Sequence, residues 1–134
     1  MKRIICILLA VPILLTFSIV AACKKKESQP KPAVNLQAAI ETAAKQKTPE
    51  AYLNLSLALY QSGQLEKSIE AAQEALKLTP DYAPAYNNIC AANNELRMWD
   101  KGIEACQQAL RIDPGYQLAK NNLNWAISAK ANKK

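Results

Sequence analysis

The side chains that usually carry out catalysis are scarce in this sequence. Among its 134 residues there is no histidine. There is also no glycine-rich phosphate loop, no cluster with metal-ligand spacing and no nucleophile beside a base. The carboxylates of Glu66, Glu70 and Glu74 read as one solvated helix face. An enzyme is therefore not expected, and no cofactor, metal or small-molecule substrate is called for. Two kinds of chemistry remain. Cys23 directly follows a long apolar run, and a thiolate there is a nucleophile. Asn54, Asn88 and Asn122 recur every 34 residues. An amide offers one acceptor and two donors, enough to pair with both polar groups of a peptide backbone.

The elements that would position these groups begin with a leader. Met1-Lys2-Arg3 is a short positive start, and Ile4 to Val20 is apolar apart from Pro12, Thr16 and Ser18. That is the layout of a secretory signal peptide over residues 1–22. The junction Val20-Ala21-Ala22-Cys23 resembles the bacterial lipobox: an aliphatic residue, two small residues and a cysteine. The resemblance implies that Cys23 takes a diacylglycerol on sulfur, becomes the first mature residue and is acylated on its amine. Several acyl chains hold a protein firmly to a bilayer, one only marginally. Two alternatives stand beside this reading. One is an uncleaved anchor, since about 17 apolar residues is near the lower limit for spanning. The other is a plain secreted protein with an incidental cysteine.

Residues 24–34, KKKESQPKPAV, have too few apolar side chains to order themselves and read as a tether of roughly 20 Å as a coil. The net charge of +6 is concentrated at the ends. Between Asn35 and Ala129 there are eight basic and ten acidic residues, whereas Lys24, Lys25, Lys26, Lys31, Lys130, Lys133 and Lys134 flank them. A nucleic-acid reader would cluster its cations on a folded face, so nucleic acid is not an expected partner. Basic ends suit a membrane surface or solubility better.

Residues 49–82 and 83–116 align without a gap and share thirteen identities, among them Tyr52/Tyr86, Asn54/Asn88, Ala58/Ala92, Ala75/Ala109 and Pro80/Pro114. Ala119, Asn122 and Leu123 start a third copy. Each unit reads as two helices: Tyr52, Leu55 and Leu59 at helical spacing, a turn at Ser62-Gly63, then Leu65, Ile69, Ala72 and Leu76. Pro80 and Pro114 stop the second helices, and Thr48-Pro49 reads as an N-cap followed by proline at the first helical position.

This 34-residue period resembles the tetratricopeptide repeat. The large aromatic of that pattern falls on Tyr52 and Tyr86, the leucine on Leu55 and Ile89, and the small column on Ser56 and Cys90. The next columns hold Leu59 and Asn93, Ser68 and Gly102, Ala72 and Cys106, then Pro80 and Pro114. Asn93 stands where an apolar group is usual, which predicts a loosely packed second repeat. The resemblance implies an all-α helix-turn-helix solenoid over 35–130. It has a leading helix at Asn35–Gln46, repeats 49–82 and 83–116, a capping helix 117–130 with a polar outer face, and a basic tail 131–134.

In that family the first helix of each pair lines a concave side that binds peptides or helices. The resemblance places Leu53, Asn54, Leu57, Tyr60 and Gln61 there from the first repeat, and Asn87, Asn88, Ala91, Asn94 and Glu95 from the second. Asn121, Asn122 and Trp125 follow from the cap. The asparagine row is similar to the backbone-binding ladder of O-GlcNAc transferases, although asparagine is also common at this point of the repeat for structural reasons. A basic clamp for chaperone C-termini is not expected, because Leu53, Leu57 and Leu118 stand where its polar or charged groups would be. Cys90 and Cys106 face each other across one hairpin by the repeat pattern. An oxidising compartment would join them, and two small fillers in small columns is the alternative.

The function expected is a lipid-anchored adaptor of the bacterial cell envelope that holds another protein in its groove. Lys24, in place of Asp after the lipidated cysteine, leans towards the periplasmic side of the outer membrane. A structural spacer or assembly factor of an envelope machine, such as a pilus or secretion pore, is the alternative.

Overall fold

The computed structural model describes residues 35–132. The expected leader 1–22, Cys23, the tether through residue 34 and the final Lys133-Lys134 lie outside the described residues. Six helices follow one another: α1 (Leu36–Gln46), α2 (Pro49–Gln61), α3 (Leu65–Leu78), α4 (Ala83–Glu95), α5 (Trp99–Ile112) and α6 (Gln117–Ala131). Among the described residues there is no strand.

Local chemistry sets the boundaries. Asn35 caps α1, its Oδ1 accepting from the backbone N–H of Gln37 at 3.0 Å and of Ala38 at 3.3 Å. Thr48 Oγ1 accepts from Ala51 N–H at 3.2 Å, with Pro49 at the first helical position, where its missing donor costs nothing. Between α2 and α3 the chain turns at Gly63, φ 78°. Thirty-four residues on, Arg97 adopts φ 58° at the matching turn, so the second hairpin makes with a bulky residue the bend that glycine makes freely. Thr79 and Asp113 are extended because each precedes a proline, and α3 and α5 stop there.

The helices pack in two layers. The inner layer is α2, α4 and α6, each touching the next, while α3 and α5 lie outside. Small side chains at a 34-residue period allow this close approach. The column Ala51, Ala85, Ala119 is 2%, 0% and 0% exposed, and Ala58, Ala92, Ala126 is 1%, 0% and 0% exposed. Both columns run into α6, which thus takes the place of the first helix of a third repeat. Tyr52, Leu53, Leu76 and Ile89 close over Ala72, Ala75 and Ala85, while Tyr86, Leu110 and Tyr116 do the same over Ala83, Ala109 and Ala119.

Each hairpin is fastened differently at its centre. In the first, Ser68 Oγ donates to the Ser56 carbonyl at 2.8 Å, and the two hydroxyls lie 3.1 Å apart. In the second, Cys90 and Cys106 form a disulfide with Cα atoms 5.2 Å apart, both side chains fully buried. The second repeat is not opened by Asn93. That side chain is 4% exposed and donates to the Ile89 carbonyl one turn back at 2.9 Å, which satisfies the amide inside its own helix.

Both terminal helices carry polar side chains, beside exposed Ile40 on α1 and Ile127 on α6. Gln37, Glu41 and Lys45 are exposed on α1, with Gln37 Nε2 donating to Glu41 at 2.9 Å. On α6 the face turned away from Ala119 and Ala126 carries exposed Gln117, Asn121, Asn124 and Ser128, with Gln117 Nε2 donating to Asn121 at 2.9 Å.

Candidate partner-binding groove

Side chains at positions four apart on parallel inner helices project to one side, and here they enclose a concavity of about 400 Å³. Its walls are Leu53, Asn54, Leu57 and Tyr60 from α2, Pro84, Asn87, Asn88 and Ala91 from α4, and Leu118 and Asn122 from α6. Tyr116, at the turn into α6, completes it. None of these eleven side chains is an acid, lysine or arginine. Leu57 is 37% and Leu118 57% exposed, an apolar surface that the described residues do not cover.

The three asparagines of the 34-residue row are not equivalent. Asn54 is exposed and also borders a smaller hollow formed by Asn35, Ala38, Ala39 and Thr42 of the α1 region. Asn88 Nδ2 donates to Ser56 Oγ at 3.3 Å, tying α4 to α2. Asn122 Nδ2 donates to Asn87 Oδ1 at 2.9 Å, tying α6 to α4. Two of the three amides thus spend one donor on holding the inner layer together, and each keeps a second donor.

Tyr60 bridges to the neighbouring helix, its hydroxyl donating to Glu95 Oε1 at 3.3 Å. Burial and then the Glu95 carboxylate raise the pKa of this phenol above its ordinary value. Burial, followed by Asp113 and Tyr82, does the same for Tyr116. Both groove phenols are therefore neutral donors.

Five residues expected in the groove are not among its walls: Gln61, Glu95 and Asn121, which are exposed, and Asn94 and Trp125. Trp125 packs edge-to-face on Trp99 at the start of α5, ring centroids 5.3 Å apart and planes at 73°, and stays 49% exposed. A large aromatic neighbour at the end of the stack gives that ring a better contact than the open groove does. Asn94 is 2% exposed and sealed among α4, α5 and α6. Its Nδ2 donates to the Asn122 carbonyl at 3.2 Å and points at Cys90 Sγ at 3.5 Å. Its Oδ1 sits against Gly102, where a Cβ would lie 2.0 Å away.

Leu118 is a wall, on the face where the sequence placed it, whereas Pro84 and Tyr116 were not expected as walls. They belong to the entries of the inner helices rather than their middles. The period offered a signal, since Pro84 and Leu118 are 34 residues apart and share one position at the start of α4 and α6.

The tetratricopeptide-repeat family model matches residues 49–82. No curated protein matches the sequence. Among solved structures, a crystal structure of MamA protein is similar, with TM-score 0.65 and 26% identity, covering 72% of this chain and 53% of that one. The chain thus spans about half the length of that structure. The first TPR domain of human RPAP3 has TM-score 0.69 and 19% identity over 73% of this chain and 78% of its own. The first TPR of Spaghetti (RPAP3), solved bound to the HSP90 peptide SRMEEVD, has TM-score 0.66 and 20% identity over 72% and 77%. The described fold is an all-α tetratricopeptide-repeat solenoid.

Proposed function

We propose that this chain is a lipid-anchored interaction module of the bacterial cell envelope that holds an extended peptide or a helix of another protein in its concave groove. One observation carries the reading. Side chains from three inner helices converge on a single open concavity whose exposed leucines nothing in the described chain covers. Backbone amides of a bound peptide would meet Asn54 and the spare donors of Asn88 and Asn122, while Leu53, Leu57 and Leu118 would take its apolar side chains. A structural neighbour of this fold was solved with a peptide bound.

The anchor rests on the leader and the Val20-Ala21-Ala22-Cys23 junction. A disulfide between Cys90 and Cys106 agrees with export to an oxidising compartment. A spacer without a groove ligand draws support from Asn88 and Asn122, whose amides already join helices. The two readings separate by photo-crosslinking in intact cells from Leu57 and, as a control, from exposed Gln107 on the outer face. Capture of a discrete protein from Leu57 alone supports the module. Equal or absent capture from both sites supports the spacer.

A further inference from the structure

Resting on the groove reading above, we infer that the partner is an internal, extended segment with a lysine or arginine that seats on the Tyr60–Glu95 rim beside an apolar anchor. Three features of the described residues point to it.

The first is the pattern of charge at helix ends. A helix C-terminus carries partial negative charge, and a basic residue in the last turn offsets it. Four helices have one: Lys45 on α1, Lys77 on α3, Arg111 on α5 and Lys130 on α6. The two without are α2 and α4, whose last turns carry Tyr60 and Glu95. The nearest cation along the chain, Arg97, is exposed after α4 and is not a wall of the groove.

The second is what stands there instead. Glu95 is exposed at the end of α4 and is held against the Tyr60 hydroxyl at 3.3 Å. The Glu95 carboxylate and the Tyr60 phenol, at two helix ends with no basic residue in the last turn, make a rim that favours a cation over a carboxylate.

The third is the opposite rim. Pro84, Tyr116 and Leu118 at the entries of α4 and α6 carry no ionised group, and Leu118 is more than half exposed. A free C-terminal carboxylate finds no cation among the eleven walls. Among its side chains the groove therefore offers a carboxylate at one rim and apolar contacts at the other, which suits a segment carrying a cation beside an apolar anchor.

The test pans random peptide libraries, displayed internally and with a free C-terminus, against the full-length chain in detergent. Binders are kept only if Leu57→Arg abolishes them. The expected set carries Lys or Arg a few residues from an apolar side chain and does not need a free carboxylate. Changing that cation to Glu in a synthetic peptide should weaken binding about tenfold, which is about 1.4 kcal/mol. Glu95→Lys, an exposed change that leaves the core untouched, should invert the preference. Groove-dependent binders that are acidic, indifferent to Glu95→Lys or dependent on a free C-terminus would overturn the charge assignment and leave the groove reading standing. A screen with no binder sensitive to Leu57→Arg would overturn both.

Discussion

Gly102 is one methyl group away from a conflict inside the second hairpin. Its counterpart in the first repeat is Ser68, so a small side chain is compatible with the fold in general. At Gly102, however, a Cβ would lie 2.0 Å from Asn94 Oδ1, 3.0 Å from Asn94 Cγ and 3.4 Å from the Cys90 carbonyl. The amide cannot swing away freely, because it is 2% exposed and bonded to the Asn122 carbonyl at 3.2 Å. Gly102→Ala gains about 1 kcal/mol of helix propensity. Against that stand about 1–3 kcal/mol of overpacking and about 1 kcal/mol for the strained or lost buried hydrogen bond. The net expectation is a loss of about 1–3 kcal/mol, or roughly 4–24 °C in melting temperature for a domain of this size. In an Asn94→Ala background the obstacle is gone, and the same change should stabilise by about 1 kcal/mol. Urea unfolding followed by circular dichroism at 222 nm measures both arms of the cycle. A Gly102→Ala protein as stable as the parent, or the same sign in both backgrounds, would refute the argument.

Three further outcomes are expected. Unreduced protein, denatured and treated with an alkylating reagent, should leave Cys90 and Cys106 unmodified, and reduction should cost about 3 kcal/mol for a loop of this length; alkylation mapped to Cys90 and Cys106 without reductant would show free thiols. The pKa values of Tyr60 and Tyr116 are raised in the folded state, so their contribution to stability is fully present below the unfolded value of about 10 and is lost as pH rises through the folded values. Unfolding free energy should therefore fall above about pH 10, less steeply in Tyr60→Phe and Tyr116→Phe, and a steeper fall in those variants would contradict the assignment. Cys23→Ser should abolish lipid labelling and leave the protein unprocessed or soluble on cell fractionation, whereas unchanged labelling and membrane association would remove the anchor.

The period of 34 made much of the fold legible. Columns such as Ala51/Ala85/Ala119 repeat because close helix approach needs small side chains, and caps such as Thr48-Pro49 are local chemistry. The groove walls on α2 and α4 follow from the same periodicity. What the sequence does not show is where a polar side chain finds its partner on another helix. Asn88 and Asn122 look alike along the chain, yet one reaches Ser56 and the other Asn87, which depends on how neighbouring helices cross. Asn94 occupies the position of Tyr60 but turns inward, because Gly102 leaves room that Ser68 does not. Trp125 was misplaced for a similar reason, since its aromatic neighbour Trp99 stands where the first repeat has Leu65.

The central claim is that the concave face, and not another surface, binds the partner. The direct measurement is a heteronuclear NMR titration of the chain from Asn35 onward with a peptide of the captured protein. We expect the backbone and side-chain amide signals of Asn54, Asn88 and Asn122, and the backbone signals of Leu57, Ala91 and Leu118, to move together with one dissociation constant. The outer cleft between α3 and α5, floored by Ile69, Ile89 and Met98, should stay still. Saturable shifts confined to that outer cleft, with the groove signals unmoved, would contradict the account.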